Sequence, residues 1–174
     1  NGKGSIATIL YNLQKRQGKT VNVYRSPHLI FFNERIHIQN KEITNRYLLE
    51  VLDFVQNIND NLPITFFEII TAAAFYIYNQ NKADLTILEV GLGGRLDATN
   101  VIEKNLVSII STIDIDHKEF LGTDIKSIAT EKAGIIKNKC SVISSKQKIS
   151  AKNVIKGKAQ EMNSKLYLFE ESWK

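Results

Sequence analysis

This sequence has very few cysteine, proline and tryptophan residues. It contains one cysteine, two prolines and one tryptophan among 174 residues. A single thiol cannot form an internal disulfide, and Cys140 precedes an apolar run, which favours a buried strand thiol over a redox centre. No apolar stretch approaches the roughly 18 residues that cross a bilayer, and the opening residues 1–4 do not resemble a signal peptide. These absences predict a cytoplasmic protein with no membrane span.

The sequence also lacks a concentrated patch of charge. Lysine and arginine number 23 against 18 acidic residues, which gives a formal charge of +5 at pH 7. The lysines are scattered singly, and the aromatic residues do not alternate with them as they do in proteins that stack on single-stranded RNA. This pattern favours a solvated surface over a nucleic-acid interface. The length and the 43% hydrophobic content predict one globular domain that needs neither a disulfide nor a structural metal.

Apolar spacing and turn residues divide the chain into alternating helices and strands. Helical spacing with capping residues predicts helices over 5–17, after Thr44, after Thr65, near 124–133 and near 151–162. Short apolar runs predict strands over 20–24, 85–90, 107–112, 141–144 and 166–169, and a hairpin with its turn at 39–41. This order predicts an α/β fold with a parallel sheet and helices on both faces.

The first residues have the composition of the second half of a phosphate-binding loop. Gly2, Lys3, Gly4 and Ser5 stand directly before the first predicted helix. Glycines let backbone N–H groups approach phosphate oxygens, the helix N-terminus favours an anion, and the lysine adds a mobile positive charge. The strand and first glycine of the full motif lie outside the chain, and Gly4 separates the lysine from the serine. A chance turn of this composition is therefore the alternative interpretation.

Two further segments carry side chains that bind metal ions. Glu89 ends an apolar strand and is followed by the glycine-rich segment 91–95, and the next strand leads into Asp114, Asp116 and His117. In parallel sheets of nucleotide-binding proteins, an acid at the carboxyl end of a strand beside a phosphate loop is a common Mg²⁺ ligand. Oxygen ligands suit Mg²⁺, and an imidazole is an unusual addition. We therefore expect these segments to converge on one crevice.

These motifs resemble folylpolyglutamate synthase and bifunctional dihydrofolate synthase, members of the superfamily of ATP-dependent amide ligases that includes the muramyl ligases. The resemblance runs through nearly the whole chain, and its most specific part is the run from Glu89 to Asn100. Shorter matching motifs lie at 1–5, 26–29, 32–36, 65–68, 116–117, 120–122 and 131–137. The resemblance implies a phosphate-loop nucleotide-binding domain like the central domain of the muramyl ligases.

The resemblance also implies a set of site residues. Residues that would hold the phosphates of ATP are Asn1, Gly2, Lys3, Gly4 and Ser5, and those that would bind Mg²⁺ are Ser26, Glu89 and His117. Residues that would contact the pterin substrate are Ser26, Pro27, Thr65, Phe66, Phe67, Glu68, Arg95 and Asp97, with the loop from Ser26 to Arg35 closing over it. Lys132 matches a lysine that the family carries in N-carboxylated form, and such an anion would support a metal ion. The expected catalytic residues are Lys3, Glu89, His117 and Lys132.

The implied reaction is the addition of L-glutamate to dihydropteroate, to folate polyglutamates, or to both. The γ-phosphoryl group of ATP would first convert the substrate carboxylate into an acyl phosphate, which the glutamate amine would then attack. The expected partners are these small molecules, with neither nucleic acid nor membrane. Family members continue into a carboxy-terminal domain, and residues 1–174 also lack the first strand, so we expect this chain alone to bind nucleotide weakly and catalyse little.

Two other functions stay open at this point. A muramyl-type ligase would share the ATP chemistry, although Phe66-Phe67-Glu68 and the Ser26-Pro27-His28 loop resemble the folate branch. A phosphate-loop switch would hydrolyse nucleotide without joining two substrates. Phosphate release that depends jointly on a pteroate acid and glutamate distinguishes the ligase from the switch, and salt-dependent retention on single-stranded DNA tests a distant third function, nucleic-acid binding.

Overall fold

The residues described by the computed structural model, 2–115 and 124–173, form two compact units. The amino-terminal unit comprises Lys3–Gly91. The carboxy-terminal unit comprises Leu92–Lys174 together with the first two residues of the chain. Each unit has its own sheet and its own cluster of buried apolar side chains.

The amino-terminal unit is built on a mixed sheet of four strands. In chain order its elements are α1 (Lys3–Arg16), β1 (Val21–Tyr24), β2 (Ile36–Ile38), β3 (Lys41–Glu42), α2 (Asn45–Asn59), α3 (Phe66–Gln80) and β4 (Leu85–Leu88). The strand order is β3-β2-β1-β4, in which β1 and β4 are parallel and the other neighbours are antiparallel. A 3₁₀ turn (Phe32–Arg35) leads into β2.

Local signals explain where these elements begin and turn. Thr44 and Thr65 cap α2 and α3 by accepting backbone N–H groups of their first turns, and Glu68 completes a capping box. Gln39 and Asn40 form the two-residue hairpin turn with φ of 48° and 72°, a left-handed conformation that asparagine tolerates better than most residues. Asn40 also ties the hairpin to β1, because its Oδ1 accepts the Val21 N–H at 3.1 Å.

Helices cover both faces of this sheet. The Tyr24 hydroxyl lies 2.9 Å from that of Thr71 on α3, and the Tyr24 ring packs against Phe67. His37 pairs with Val23, the neighbour of Tyr24 along β1, and contacts Tyr11 of α1. Since successive side chains along a strand point to opposite faces, α1 and α3 lie on opposite sides. The larger apolar cluster forms between the strands and helices α2 and α3.

The carboxy-terminal unit contains a parallel sheet of three strands. Its elements are a 3₁₀ turn (Ala98–Val101), β5 (Val107–Ile110), α4 (Ile125–Ala133), β6 (Ser141–Ser144), α5 (Ile149–Glu161) and β7 (Leu166–Leu168). The strand order is β5-β6-β7. Asp124 caps α4 through the N–H groups of Lys126 and Ser127. Ile110 and Val142 pack with Ile128 of α4 and Ile155 of α5, so these helices cover one face of the sheet.

The structure confirms the predicted α/β fold with parallel strands. Helices α1 and α5 begin two residues before their predicted first residues, and β4 and β5 end two residues earlier than predicted. The prediction for Cys140 was wrong, because this residue lies in the loop before β6 and its side chain is only half-buried. Within residues 2–115 and 124–173, no helix has both the length and the apolar composition needed to span a membrane.

Tyr78 tests how a buried hydroxyl without a hydrogen-bond partner affects the free energy of unfolding. Its side chain is buried, its hydroxyl has no hydrogen-bond partner among the described residues, and burial raises its pKa. We expect Tyr78→Phe to leave the free energy of unfolding unchanged or to increase it. The matched control Tyr24→Phe removes the hydrogen bond to Thr71 and should cost about 0.5–1.5 kcal/mol. Urea denaturation of both variants checks this, and a larger loss for Tyr78→Phe than for Tyr24→Phe would contradict it.

His37 should make stability depend on pH. Burial lowers its pKa below the usual 6.5, the charges of Arg25 and Lys15 lower it further, and Glu42 opposes the shift. The folded state therefore binds this proton less readily than the unfolded chain does. Stability is full above pH 6.5 and falls as the pH drops from there towards the lower folded value.

The variant His37→Gln should lack this component of the pH dependence. Thermal melts of the wild type and the variant between pH 5 and 8 measure it, and curves that stay parallel across that range would show that His37 contributes nothing.

Candidate active site

In the amino-terminal unit, the Glu89 carboxylate lies against the first turn of α1. Glu89 directly follows β4, and its N–H donates to the Tyr24 carbonyl at 2.9 Å, which continues the parallel pairing with β1. A Cβ added to Gly4 would lie 3.5 Å from Glu89 Oε1 and 3.6 Å from Oε2, so the carboxylate rests on the Gly4 backbone. The first turn of α1 contains no acidic residue. The site thus combines an acid with the positive end of a helix.

The electrostatic surroundings of Glu89 act in opposite directions. Burial raises the pKa of the carboxyl, while the charge of Lys3, a hydrogen bond from the Ser26 N–H and the charge of Arg25 lower it. Burial is the largest of these effects. A further positive charge beside Glu89 would stabilise its ionised form.

Ser26 adds a second side-chain oxygen beside this acid. It follows β1 by two residues, and its peptide bond to Pro27 is cis. Its Oγ is buried, and no described residue forms a hydrogen bond with it. A buried hydroxyl of this kind usually has a partner. Ser26 therefore offers a free oxygen at the carboxyl end of the parallel pair β1 and β4.

The predicted pterin contacts in the segment 65–68 differ in their surroundings. Thr65 and Glu68 bond to each other in the capping box, and these bonds lower the pKa of Glu68. Phe67 packs inward, where a Cβ on Gly91 would lie 2.7 Å from its ring. Phe66 is 64% exposed and packs edge-on against Phe32. Of the two aromatic residues in this segment, Phe66 is the largely exposed one.

In the carboxy-terminal unit, Asp97 organises the glycine-rich loop. Its Oδ2 accepts the Leu92 N–H at 3.0 Å, and its Oδ1 accepts the N–H and the hydroxyl of Thr99 at 2.9 and 2.5 Å. The side chain is buried in this position. The contacts of Asp97 thus include bonds that close the loop on itself and begin the 3₁₀ turn.

Arg95 connects the same loop to the end of α4. Its Nε and Nη2 donate to Glu131 Oε1 at 3.0 and 2.9 Å, and its backbone N–H donates to the Glu131 carbonyl at 2.8 Å. Lys132 lies in the last turn of α4, and a Cβ on Gly94 would lie 3.1 Å from its Cα. The loop backbone therefore runs directly beside the backbone of Lys132.

The structure brings together four of the predicted metal- and phosphate-binding residues. Lys3, Ser26 and Glu89 meet in the amino-terminal unit, with Gly4 beneath the carboxylate. Arg95, Asp97 and Lys132 belong to the carboxy-terminal unit. The predictions for Asn1 and His117, and the motif residues 116–117 and 120–122, lie outside the described residues. Within the described ranges, no group of three His, Cys, Asp or Glu side chains could hold a metal ion.

The motifs assigned no individual role to several residues that shape these sites. Arg25 lowers the pKa of Glu89, and Asn100 donates to the carbonyls of Arg95 and Gly134. Glu34 and Arg35 hold the loop that contains Ser26. Asn100, Glu34 and Arg35 lie within the matching motifs, but only the fold reveals which groups they contact.

Comparison with known proteins finds close relatives. No protein-family model matches the sequence. The chain is 43% identical over 143 residues to the dihydrofolate synthase/folylpolyglutamate synthase of Haemophilus influenzae, a match that covers 82% of this chain and 32% of the relative. The chain therefore spans about a third of the length of this relative.

Two solved structures share the fold. Escherichia coli FolC in complex with DHPP and ADP is 34% identical with a TM-score of 0.90, and the match covers 97% of this chain and 40% of that one. The bifunctional folylpolyglutamate synthase/dihydrofolate synthase from Yersinia pestis, complexed with AMPPNP and a manganese ion, is 35% identical with a TM-score of 0.87 over the same shares. Sequence and fold thus indicate the same group of proteins.

Close backbone packing around Arg95 predicts that a side chain at Gly134 destabilises the fold. A Cβ on Gly134 would lie 2.4 Å from the Arg95 Cβ and 2.6 Å from its Cα. We expect Gly134→Ala to lower the free energy of unfolding by about 1–3 kcal/mol, because the loop must shift. Gly157→Ala is the matched control, since open space surrounds Gly157 within α5, and it should stabilise by about 0.5–1 kcal/mol. Chemical denaturation measures both values, and equal effects of the two substitutions would refute the steric argument.

Proposed function

Because the chain belongs to the family of dihydrofolate and folylpolyglutamate synthases, we propose that it forms the nucleotide-binding part of an ATP-dependent ligase. This ligase joins L-glutamate to dihydropteroate, to folate polyglutamates, or to both, and acts in the cytoplasm. The observation that carries the proposal is the convergence of Ser26, Glu89 and the first turn of α1 with Lys3.

The amino-terminal site suits a nucleotide with a divalent cation. The unpartnered Ser26 hydroxyl and the Glu89 carboxylate are oxygen donors of the kind that Mg²⁺ prefers. They would hold the cation, with His117 as the third proposed ligand. The backbone N–H groups from Gly2 to Ser5 and the positive end of α1 would hold phosphate oxygens. The relatives complexed with ADP, and with AMPPNP and manganese, support this assignment.

The proposed reaction places specific demands on these residues. A carboxylate resists nucleophiles because of its charge, so the γ-phosphoryl group is first transferred to it, and the glutamate amine then displaces phosphate from the acyl phosphate. A divalent cation, when bound, supplies positive charge that offsets the triphosphate and polarises the transferred group. Lys3 would add a positive charge beside the same oxygens, and the α1 N-terminus would fix their position. Catalysis then depends on positioning and charge, with no covalent enzyme nucleophile.

The carboxy-terminal unit would contribute Lys132. If its amine is N-carboxylated, the side chain becomes an anion able to support a cation. Gly94 lies against the backbone of this lysine, and Arg95 pairs with the preceding Glu131. Mass spectrometry at neutral pH in ¹³C-labelled bicarbonate tests the modification directly.

An exposed apolar surface would receive the pterin. Phe66 presents its ring to solvent, and the loop Ser26–Arg35 contains exposed apolar side chains. Arg95 and Asp97 are proposed to face the same substrate, although Arg95 pairs with Glu131 and Asp97 bonds to its own loop. A flat aromatic ring favours stacking on such an aromatic surface. Such a surface would suit a pterin ring, and it therefore supports the proposed folate ligase over a muramyl-type ligase.

Removal of the two oxygen ligands tests the nucleotide site. We expect Ser26→Ala and Glu89→Gln to weaken binding of Mg²⁺ with an ATP analogue by roughly 10–100-fold, as loss of a charged or metal-directed contact does. Glu50→Gln is the control, because Glu50 pairs only with the exposed Arg46 of the same helix in the described structure. Calorimetric titration of the protein measures these affinities.

Joint substrate dependence tests the reaction. In the complete ligase, phosphate release should require both glutamate and an acceptor, with dihydropteroate and tetrahydrofolate supplied separately. Nucleotide hydrolysis that ignores both substrates would favour the switch. Release that depends on a cell-wall precursor would favour the muramyl-type ligase.

A further inference from the structure

The loop that contains Ser26 has little apolar burial to hold it in place. Leu29, Ile30 and Phe31 form its tip, and they are 89%, 76% and 69% exposed. Ordering a residue costs about 1–2 kcal/mol of backbone entropy. Exposed side chains do not offset that cost, so hydrogen bonds must fix the loop.

A single carboxylate supplies those bonds. Glu34 lies in the 3₁₀ turn that follows the tip, and its two oxygens accept three consecutive backbone N–H groups. Oε2 accepts from Leu29 at 2.8 Å, and Oε1 accepts from Ile30 at 2.9 Å and from Phe31 at 2.7 Å. These bonds also lower the pKa of Glu34, because they favour the ionised carboxylate. An ionised carboxylate accepts on both oxygens and carries no proton that would compete with these donors.

The next residue of the turn fixes the other end of the loop. Arg35 is buried, and its Nε donates to His28 Nδ1 at 2.8 Å. Its guanidinium carbon lies 5.5 Å from the Phe32 ring centre and 5.9 Å from that of Phe66. The Arg35 carbonyl accepts the Arg25 N–H at 2.9 Å. Arg35 thus anchors the residue before Ser26 and the residue two positions after it.

These contacts set the position of Ser26. Its N–H bonds to Glu89, and its Oγ is buried without a partner among the described residues. The backbone that presents this hydroxyl is therefore held in place before any ligand binds. A preformed ligand costs less entropy on binding than one that must be ordered.

We infer that Glu34 is a positioning residue for the nucleotide site, which it serves by fixing the loop that presents the Ser26 hydroxyl. This inference rests on the proposed function and extends it to a residue that does not touch the nucleotide. Loss of the Glu34 bonds would leave Ser26 on a loop with a mobile tip. The affinity for a metal-bound nucleotide would fall, while the helices and the sheet would stay folded.

The division of bonds between the two oxygens gives a graded test. Glu34→Gln keeps one acceptor oxygen, which can still serve Ile30 and Phe31, and places an NH₂ group where Oε2 accepted from Leu29. Glu34→Ala removes all three bonds. Hydrogen exchange should therefore become faster at Leu29 alone in Glu34→Gln and at all three amides in Glu34→Ala. Glu50→Gln is the matched control and should change neither.

The functional readout is the binding of Mn²⁺ with an ATP analogue, followed by electron paramagnetic resonance of bound Mn²⁺. Affinity should decrease from wild type to Glu34→Gln to Glu34→Ala, with a roughly 10–100-fold loss in the last, as for other residues that orient a metal ligand. A thermal melt accompanies each variant, because a merely structural residue would lower the melting temperature without this ordered loss of affinity.

The outcomes separate this inference from the proposed function. If the wild type binds the metal-bound nucleotide and Glu34→Ala binds it equally well, Glu34 has no positioning role and the proposed function stands. If exchange at the three amides is unchanged in Glu34→Ala, the inference is also overturned. A wild type that does not bind the metal-bound nucleotide overturns the proposed function and the inference with it.

Discussion

The buried carboxylate of Glu89 is the constraint on which the candidate site depends. An ionised acid taken out of water must be balanced by charge or hydrogen bonds, and here Lys3, the Ser26 N–H and Arg25 provide that balance only in part, because burial remains the largest effect on its pKa. Parallel pairing of β1 with β4 brings Ser26 and Glu89 to the same edge, and the first turn of α1 lies against the acid at Gly4. The arrangement favours a cation.

In the carboxy-terminal unit, side-chain hydrogen bonds and close backbone packing organise the glycine-rich loop. Asp97 closes the glycine-rich loop, and Asn100 and Arg95 join it to the end of α4. Gly94 and Gly134 permit this because any side chain there would overlap the facing backbone or Arg95. The residues that resemble substrate contacts thus also build the support for Lys132. Arg95 or Asp97 can hold the loop and also contact a substrate only through atoms that the loop's own hydrogen bonds do not use.

Sequence patterns predicted the elements whose causes are local. The capping residues Thr44 and Thr65 and the Gln39-Asn40 turn act over three or four residues, and the structure reproduces each of them. Cys140 was placed wrongly because apolar neighbours continue on its carboxyl side only, so the strand begins one residue later. The lysine, the serine and the acid of the proposed nucleotide site were also candidates from the motifs. Their convergence was an expectation, since nothing in the sequence measures distance.

The sequence by itself determined which residue types stand at the ends of strands and helices, because caps, turns and periodicity depend on neighbours along the chain. Only the tertiary structure decided which of them meet. In the sequence, Glu34 is one acid within a motif, and only the folded loop shows that three backbone N–H groups donate to its carboxylate. Phe67 turns inward and Phe66 outward for a similar reason, since packing against Tyr24 and Gly91 selects one ring of the pair. Contacts between distant residues depend on chain topology, which no local pattern specifies.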